Sequence, residues 1–316
     1  MGNNSLAKRV LKKSYVEKSS LYKSEQLTLH IMLFLPAALT VVFAYIPIFG
    51  IIIAFKKYKP TLGFFRSSWV GFENFLTIFL DPSFARIFRN TLSIAVSKIL
   101  AGLVFTIFIS LLLNEIRFSF IKRSIQTVIY LPYFISWVLM AGIIRDLLAL
   151  DTGLVNQILQ SVSLPQVFFL GDNRVFPAML VVTDVLKGFG WGTIIYLAAI
   201  SGIDPTIYEA AEIDGANRLH KMIHITLPGI SAIIILLTTL NLGNVLNAGF
   251  DQIFNLVSPV TFKSGDVLDT LIYRLAMESN NFSLSTACGL FKSAVSVILI
   301  LTSYKLADKF AGYRIF

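Results

Sequence analysis

From Leu27 to Phe55 the chain runs for 29 residues without a lysine, arginine, aspartate or glutamate. At about 1.5 Å of rise per helical residue, such a run exceeds the roughly 30 Å hydrocarbon core of a bilayer. Pro36 and Pro47 are points where it can kink. The feature recurs along the chain. Asn90 to Asn114 contains only Lys98, and Ser124 to Ile144 contains no charge. Val175 to Ile203 holds Asp184 and Lys187, Met222 to Phe250 is uncharged, and Ser279 to Tyr304 holds only Lys292. No stretch alternates apolar and polar residues as a barrel strand does, so the expected fold is all-α, a polytopic membrane protein with six transmembrane helices. Composition agrees: 14% of residues are charged, against about 25% in soluble domains, which excludes a soluble enzyme or a disordered chain.

The first run follows a tail carrying Lys8, Arg9, Lys12, Lys13, Lys18 and Lys23. A signal peptide has a shorter apolar region and a small-residue cleavage site, so this run is expected to be a retained span. With the N-terminus inside, the inner segments carry 14 basic residues and the outer loops nine, which favours two cytosolic termini. The expected organisation is a basic cytosolic tail over residues 1–26, a six-helix transmembrane domain over 27–308 and a cytosolic tail over 309–316. The outer connections, 56–89, 145–174 and 251–278, are long, and Phe75–Leu80 and Leu154–Ile158 read as short helices lying at the interface. The net charge of +9 is absorbed by loops, so no nucleic-acid partner is expected. Cys288 is the single cysteine and allows no internal disulfide.

The most informative segment, about 201–227, joins the fourth and fifth spans on the cytosolic side. Asp204 before Pro205 is a helix-start signal, and Glu209-Ala-Ala-Glu212 continues the helix. Gly215 breaks it, with Asp214 either tolerating the turn or capping a second helix that begins near Ala216. Glu209-Ala210-Ala211, then three residues, Gly215, nine residues and Ile225-x-Leu227-Pro228 reproduce the EAA signature of permease subunits of binding-protein-dependent ABC importers. Tyr45-Ile-Pro-Ile-Phe-Gly50, Gly71-Phe-Glu-Asn-Phe75, Lys187-Gly-Phe-Gly190 and Phe250-Asp-Gln-Ile-Phe254 extend the resemblance along most of the chain, toward the maltose-type carbohydrate-uptake branch and its complex-oligosaccharide and polysaccharide permeases. The resemblance implies a prokaryotic cell-membrane subunit whose loop docks in a cleft of a cytosolic ATPase through Glu209, Ala210, Ala211, Asp214, Gly215 and Ala216. It implies a second homologous permease, an ATPase dimer and an extracytoplasmic sugar-binding protein. It also implies an oligosaccharide cargo, with ATP and Mg bound by the ATPase and no cofactor on this chain. An ordinary amphipathic connector is the plain alternative for the loop.

Other constellations are weaker. The chain has no G-x-x-x-x-G-K-[S/T] phosphate cradle, and Gly289-Leu-Phe-Lys-Ser293 lacks its glycine spacing. Gly188, Gly190 and Gly192 sit in an apolar span with no preceding strand, which suits helix packing better than a dinucleotide. His220 and His224 have zinc-compatible spacing, but no further ligand pattern completes a site, and His30 stands alone. No nucleophile elbow with its partners supports a membrane hydrolase.

Charges within spans are expensive and normally face a cavity or a partner. Lys98, Asp184, Lys187 and Lys292 are therefore either structural pairs or pathway residues, and Asp184 and Lys187, three apart, could partly neutralise each other. Asn241, Asn244 and Asn247 recur every third residue with Thr238 before and Asp251 after. Such a strip faces protein or a watery route rather than lipid. As a route it would exchange hydrogen bonds with sugar hydroxyls, with Tyr130, Tyr133 and Trp137 stacking on sugar faces and Lys187 nearby. The other reading is glue between subunits. At the level of function, an ion-gradient-driven secondary sugar transporter is the alternative, although no inverted repeat is evident.

Overall fold

A computed structural model describes residues 26 and 28–311. The expected tail over residues 1–26 lies, except for Gln26, outside the described residues, as does most of the C-terminal one. The described chain is almost wholly helical. Four helices are individually long and apolar enough to cross a membrane, and six spans result when each of two bent helix pairs is taken as one.

The first span, α1, covers Thr28–Phe55. It widens into a π turn at Val41–Tyr45 and tightens into a 3-10 segment over Ile46–Phe55, with Pro47 at the junction. That is where a residue without an N–H disturbs the helical ladder. Only 6% of its most apolar window is buried. Outside the bilayer, β1 (Lys56–Lys57) and β2 (Ser68–Trp69) pair antiparallel around α2 (Gly63–Arg66), and α3 (Glu73–Leu80) contains the expected interface segment. The second span is longer than its charge-free run. α4 covers Pro82–Glu115, because Asp81 accepts the Ser83 N–H at 2.8 Å and Pro82 occupies the first turn.

The third span departs from expectation. Ser124 to Ile144 is not one rod but α5 (Ser119–Phe134) and α6 (Trp137–Leu147), bent by 104°. Pro132 removes a backbone donor in the last turn of α5, Ile135 is extended, and Ser136 caps the restart by accepting the Leu139 N–H. Helix α7 (Leu154–Ser161) contains the second expected interface segment. Its fully buried Asn156 holds Ala149 O, Val167 O and Val167 N at 2.9–3.1 Å. The fourth span, α8 (Phe176–Ser201), packs along α4 and against α5.

After the connecting helix α9 (Pro205–Ile213), the fifth span is also bent. α10 (Arg218–Gly229) includes a π turn at Met222–Thr226 and meets α11 (Ser231–Gly243) at 58°, just beyond Pro228. The uncharged run to Phe250 is not all helix. α11 ends at Gly243 with Asn244 as its cap, and the turn through Gly249 leads to α12 (Phe250–Leu256). Beyond α13 (Phe262–Gly265) and α14 (Leu268–Tyr273), the last span, α15 (Phe282–Ala311), packs on α11 and on the end of α1.

Apolar packing concentrates where the helices cross. One cluster joins Ile94 and Ala95 of α4 to Phe176 and Leu180 of α8 and Ile253 of α12; another joins Ala54, Ile78, Ile87 and Cys288. A third, around Tyr196, Ile200 and Ile230, anchors the C-terminal end of α8 to the bend of the fifth span.

Candidate functional site: a glycine-turn loop and a polar groove

The loop between the fourth and fifth spans has the expected form of helix, glycine turn, helix. Asp204 caps α9 by accepting the Thr206 N–H at 2.9 Å, and hydrogen bonds from Thr206 hold its carboxyl below the usual carboxylate range. Glu209 and Ala210 face outward and Ala211 is half-buried. Gly215 has φ +79°, a left-handed conformation that a side chain strains, and the Ala216 N–H reaches back to Ala211 O at 2.9 Å.

Asp214 does not cap the second helix: it ends α9. Asn217 caps α10 by accepting the His220 N–H at 2.9 Å, so that helix starts at Arg218 rather than near Ala216. Tyr208 bonds Thr226 at 2.9 Å and Lys221 pairs with Glu212 at 3.4 Å, tying the loop to the foot of the fifth span. The signature leaves out the loop's apolar rim. Ile213 is 87% exposed beside the turn, and Ile207 and Leu219 are also exposed. A lone isoleucine after Glu-Ala-Ala-Glu is the sequence signal, a weak one.

Within the spans, α4, α8 and α11 enclose an open groove of about 440 Å³. Asn241, Asn244 and Asn247 all line it, although not as one helical face. Asn241 lies on α11, Asn244 is its cap, and Asn247 stands in the turn beyond. Facing them is a buried network. Lys98, 7% exposed, donates to Ala248 O at 2.7 Å and to the Gln252 side-chain oxygen, and it pairs with Asp184 at 3.3 Å. Gln252 donates in turn to Leu180 O at 2.8 Å and Thr183 Oγ1 at 2.7 Å. Gly249, at φ +92°, lets the turn close on this network, since a Cβ there would stand 2.9 Å from Lys98 Nζ. Lys98 and Gln252 thus join α4, α8 and α12. Lys98 is expected to meet a cavity or a partner, but its partners are invisible in spacing because they are distant in sequence.

The remaining candidates lie elsewhere. Asp184 pairs with Lys98, while Lys187 donates to Pro132 O at 3.3 Å and Tyr133 O at 2.7 Å, the carbonyls freed where α5 stops. Its ammonium lies 5.4 Å from the ring centroids of both Tyr133 and Trp137, and Tyr133 stacks on Trp191 at 4.7 Å. These residues and the backbone of Tyr130, against which Gly190 packs, form the joint of the third span and do not line the groove. Gly192 likewise approaches Thr106 closely, which is helix packing. Lys292 donates to Asn247 Oδ1 at 2.6 Å and pairs with Asp269, bordering a second, contiguous cavity of about 480 Å³. His220 and His224 stack on each other, and among the described residues no cluster of three metal-ligating side chains occurs.

Such a bent six-span architecture, with a glycine-hinged loop at its base and a polar groove inside, is that of an ABC-importer permease subunit. The chain belongs to the family described as binding-protein-dependent transport system inner membrane component, which it matches over residues 98–310. It is 42% identical over 269 residues to Protein LplB of Bacillus subtilis, covering 85% of each chain. It is 37% identical over 292 residues to the polygalacturonan/rhamnogalacturonan transport system permease protein YteP of the same organism, covering 92% of this chain and 91% of that one. Among solved structures it resembles a chain of a bacterial ABC transporter involved in the import of the acidic polysaccharide alginate, with a TM-score of 0.84 and 33% identity over 92% of this chain and 99% of that one. A chain of the bacterial alginate transporter in complex with alginate pentasaccharide-bound periplasmic protein superposes with a TM-score of 0.85, at 32% identity over 92% of this chain and 98% of that one. The chain is a multi-pass membrane protein and a transport permease.

Proposed function

We propose that this permease carries an oligosaccharide or polysaccharide fragment into a prokaryotic cell, with both termini cytosolic, and that it works with a second homologous permease. An extracytoplasmic sugar-binding protein delivers the cargo to the outer loops. A cytosolic ATPase pair binds ATP and Mg, and its closure is received by Glu209, Ala210, Ala211 and the turn at Asp214, Gly215 and Ala216. The observation that carries this reading is the continuity of α10 from that loop to a bend, from which α11 runs on to the groove where Asn241, Asn244 and Asn247 can exchange hydrogen bonds with sugar hydroxyls. The names of the relatives and of the solved alginate importers support the carbohydrate cargo. Tyr130, Tyr133, Trp137 and Lys187 support the helix joint of the third span in this reading, and the amide-lined groove is the route.

Uptake in cells carrying the complete system tests the driving force. Transport should stop with vanadate and persist with a protonophore. The reverse result would make the chain a secondary transporter.

A further inference from the structure

The charges of the groove point to its cargo. Lys98 directs its ammonium to three protein acceptors, Ala248 O, the Gln252 side-chain oxygen and Asp184. An ammonium has three N–H donors, so none remains for a ligand. Lys292, beside the contiguous cavity, is held by Asn247 Oδ1 and Asp269. The third lysine within the spans, Lys187, is bound to the carbonyls of Pro132 and Tyr133 and lies off the groove. Asp184, by contrast, stays 36% exposed and opens on the groove beside the three asparagine amides. The polar atoms most open to a solute are therefore the asparagine amides and a carboxylate, set in a largely apolar wall that includes Phe189 and Leu237, with Lys98 and Lys292 each compensated by an aspartate.

Sugar hydroxyls can donate to Asp184 and exchange hydrogen bonds with the amides. A uronate carboxylate cannot donate to Asp184 and finds no free N–H on Lys98, which gives all three to protein acceptors. We infer that this permease selects a neutral, hydroxyl-rich glycan over a uronate-rich one, and that Asp184 enforces the selection. The inference rests on the glycan-importer reading and departs from the acidic glycans named for YteP and for the solved alginate importers.

The test uses the complete complex in proteoliposomes, with its binding protein and ATPase. The probes are a galactose pentasaccharide and its counterpart oxidised to the carboxylate at every C6. ATP-driven uptake of the neutral probe should exceed that of the acidic one at least tenfold. Asp184→Asn, which keeps the shape and removes the charge, and Asn244→Lys, which adds a cation on the exposed groove wall, should each move the ratio toward the acidic probe by threefold or more. Wild-type uptake of the acidic probe at an equal or higher rate overturns the inference. So does a ratio unmoved in both variants, since the selection then lies in the binding protein. Absence of ATP-driven uptake of either probe would instead remove the glycan-importer reading beneath it.

Discussion

Replacing Lys98 by methionine removes the ammonium and keeps the stem, so Ala248 O and the Gln252 oxygen lose their donor and Asp184 its counter-ion. Breaking a buried pair costs roughly 3–5 kcal/mol, and the partial exposure of Asp184 reduces this toward the lower end. Lys98→Met should lower the thermal stability of the purified complex measurably. An unchanged melting temperature would show that the network contributes little. Gly249→Ala approaches the same point from the turn: φ +92° and a Cβ 2.9 Å from Lys98 Nζ imply a cost of about 1–3 kcal/mol in the same assay. Asp204 gives a pH expectation. Its folded pKa is depressed by Thr206, so the cap's contribution is complete above the unfolded value, roughly 3.9, and is lost as pH falls through the folded value. ATPase attachment should therefore be flat from pH 8 to 5 with respect to this group, and a loss centred near pH 6 would implicate another.

At the scale of elements, the turn at Gly215 separates a docking lever from a mere connector. An added Cβ there meets nothing within 4 Å, so a substitution acts through backbone strain alone, about 1–3 kcal/mol at φ +79°. Gly215→Val should insert normally yet lose ATPase pull-down or sugar-stimulated hydrolysis. Glu209→Lys should do the same by reversing the charge presented to the partner. Normal values for both measurements in both variants would leave the loop a connector.

What was legible in the chain follows the physics of each element. The four unbroken spans announce themselves as long apolar runs, and Asp204-Pro205 announces α9. The same signal at Asp81-Pro82 marks the true start of α4, which counting charges alone misses. The breaks at Ile135 and Ile230 were not legible, because bent and straight spans bury equally apolar residues; Pro132 and Pro228 were only hints. Asn241, Asn244 and Asn247 share one groove, but not as the face of one helix. The three-residue period predicts a helix face, whereas a cap and a turn bring the residues together.

For the molecule as a whole, topology is the testable quantity. A reporter active only in the cytosol should work when fused after Lys122 or Asn217 and be silent after Ser68, Asp172 or Gly265; activity at Gly265 would break the six-span count. The 58° bend of the fifth span then acquires a mechanical meaning. The 12 residues of α10 form an arm of roughly 18 Å, and the 11 residues from Ser231 to Asn241 a second of roughly 16 Å. An elbowed rod converts an axial push at one end into a sideways sweep at the other. Tilting such a crank by ten degrees about its elbow would swing Asn241 by about 3 Å, the length of one hydrogen bond. A stroke of that size suffices to exchange one set of amide partners for another without melting a single turn of helix.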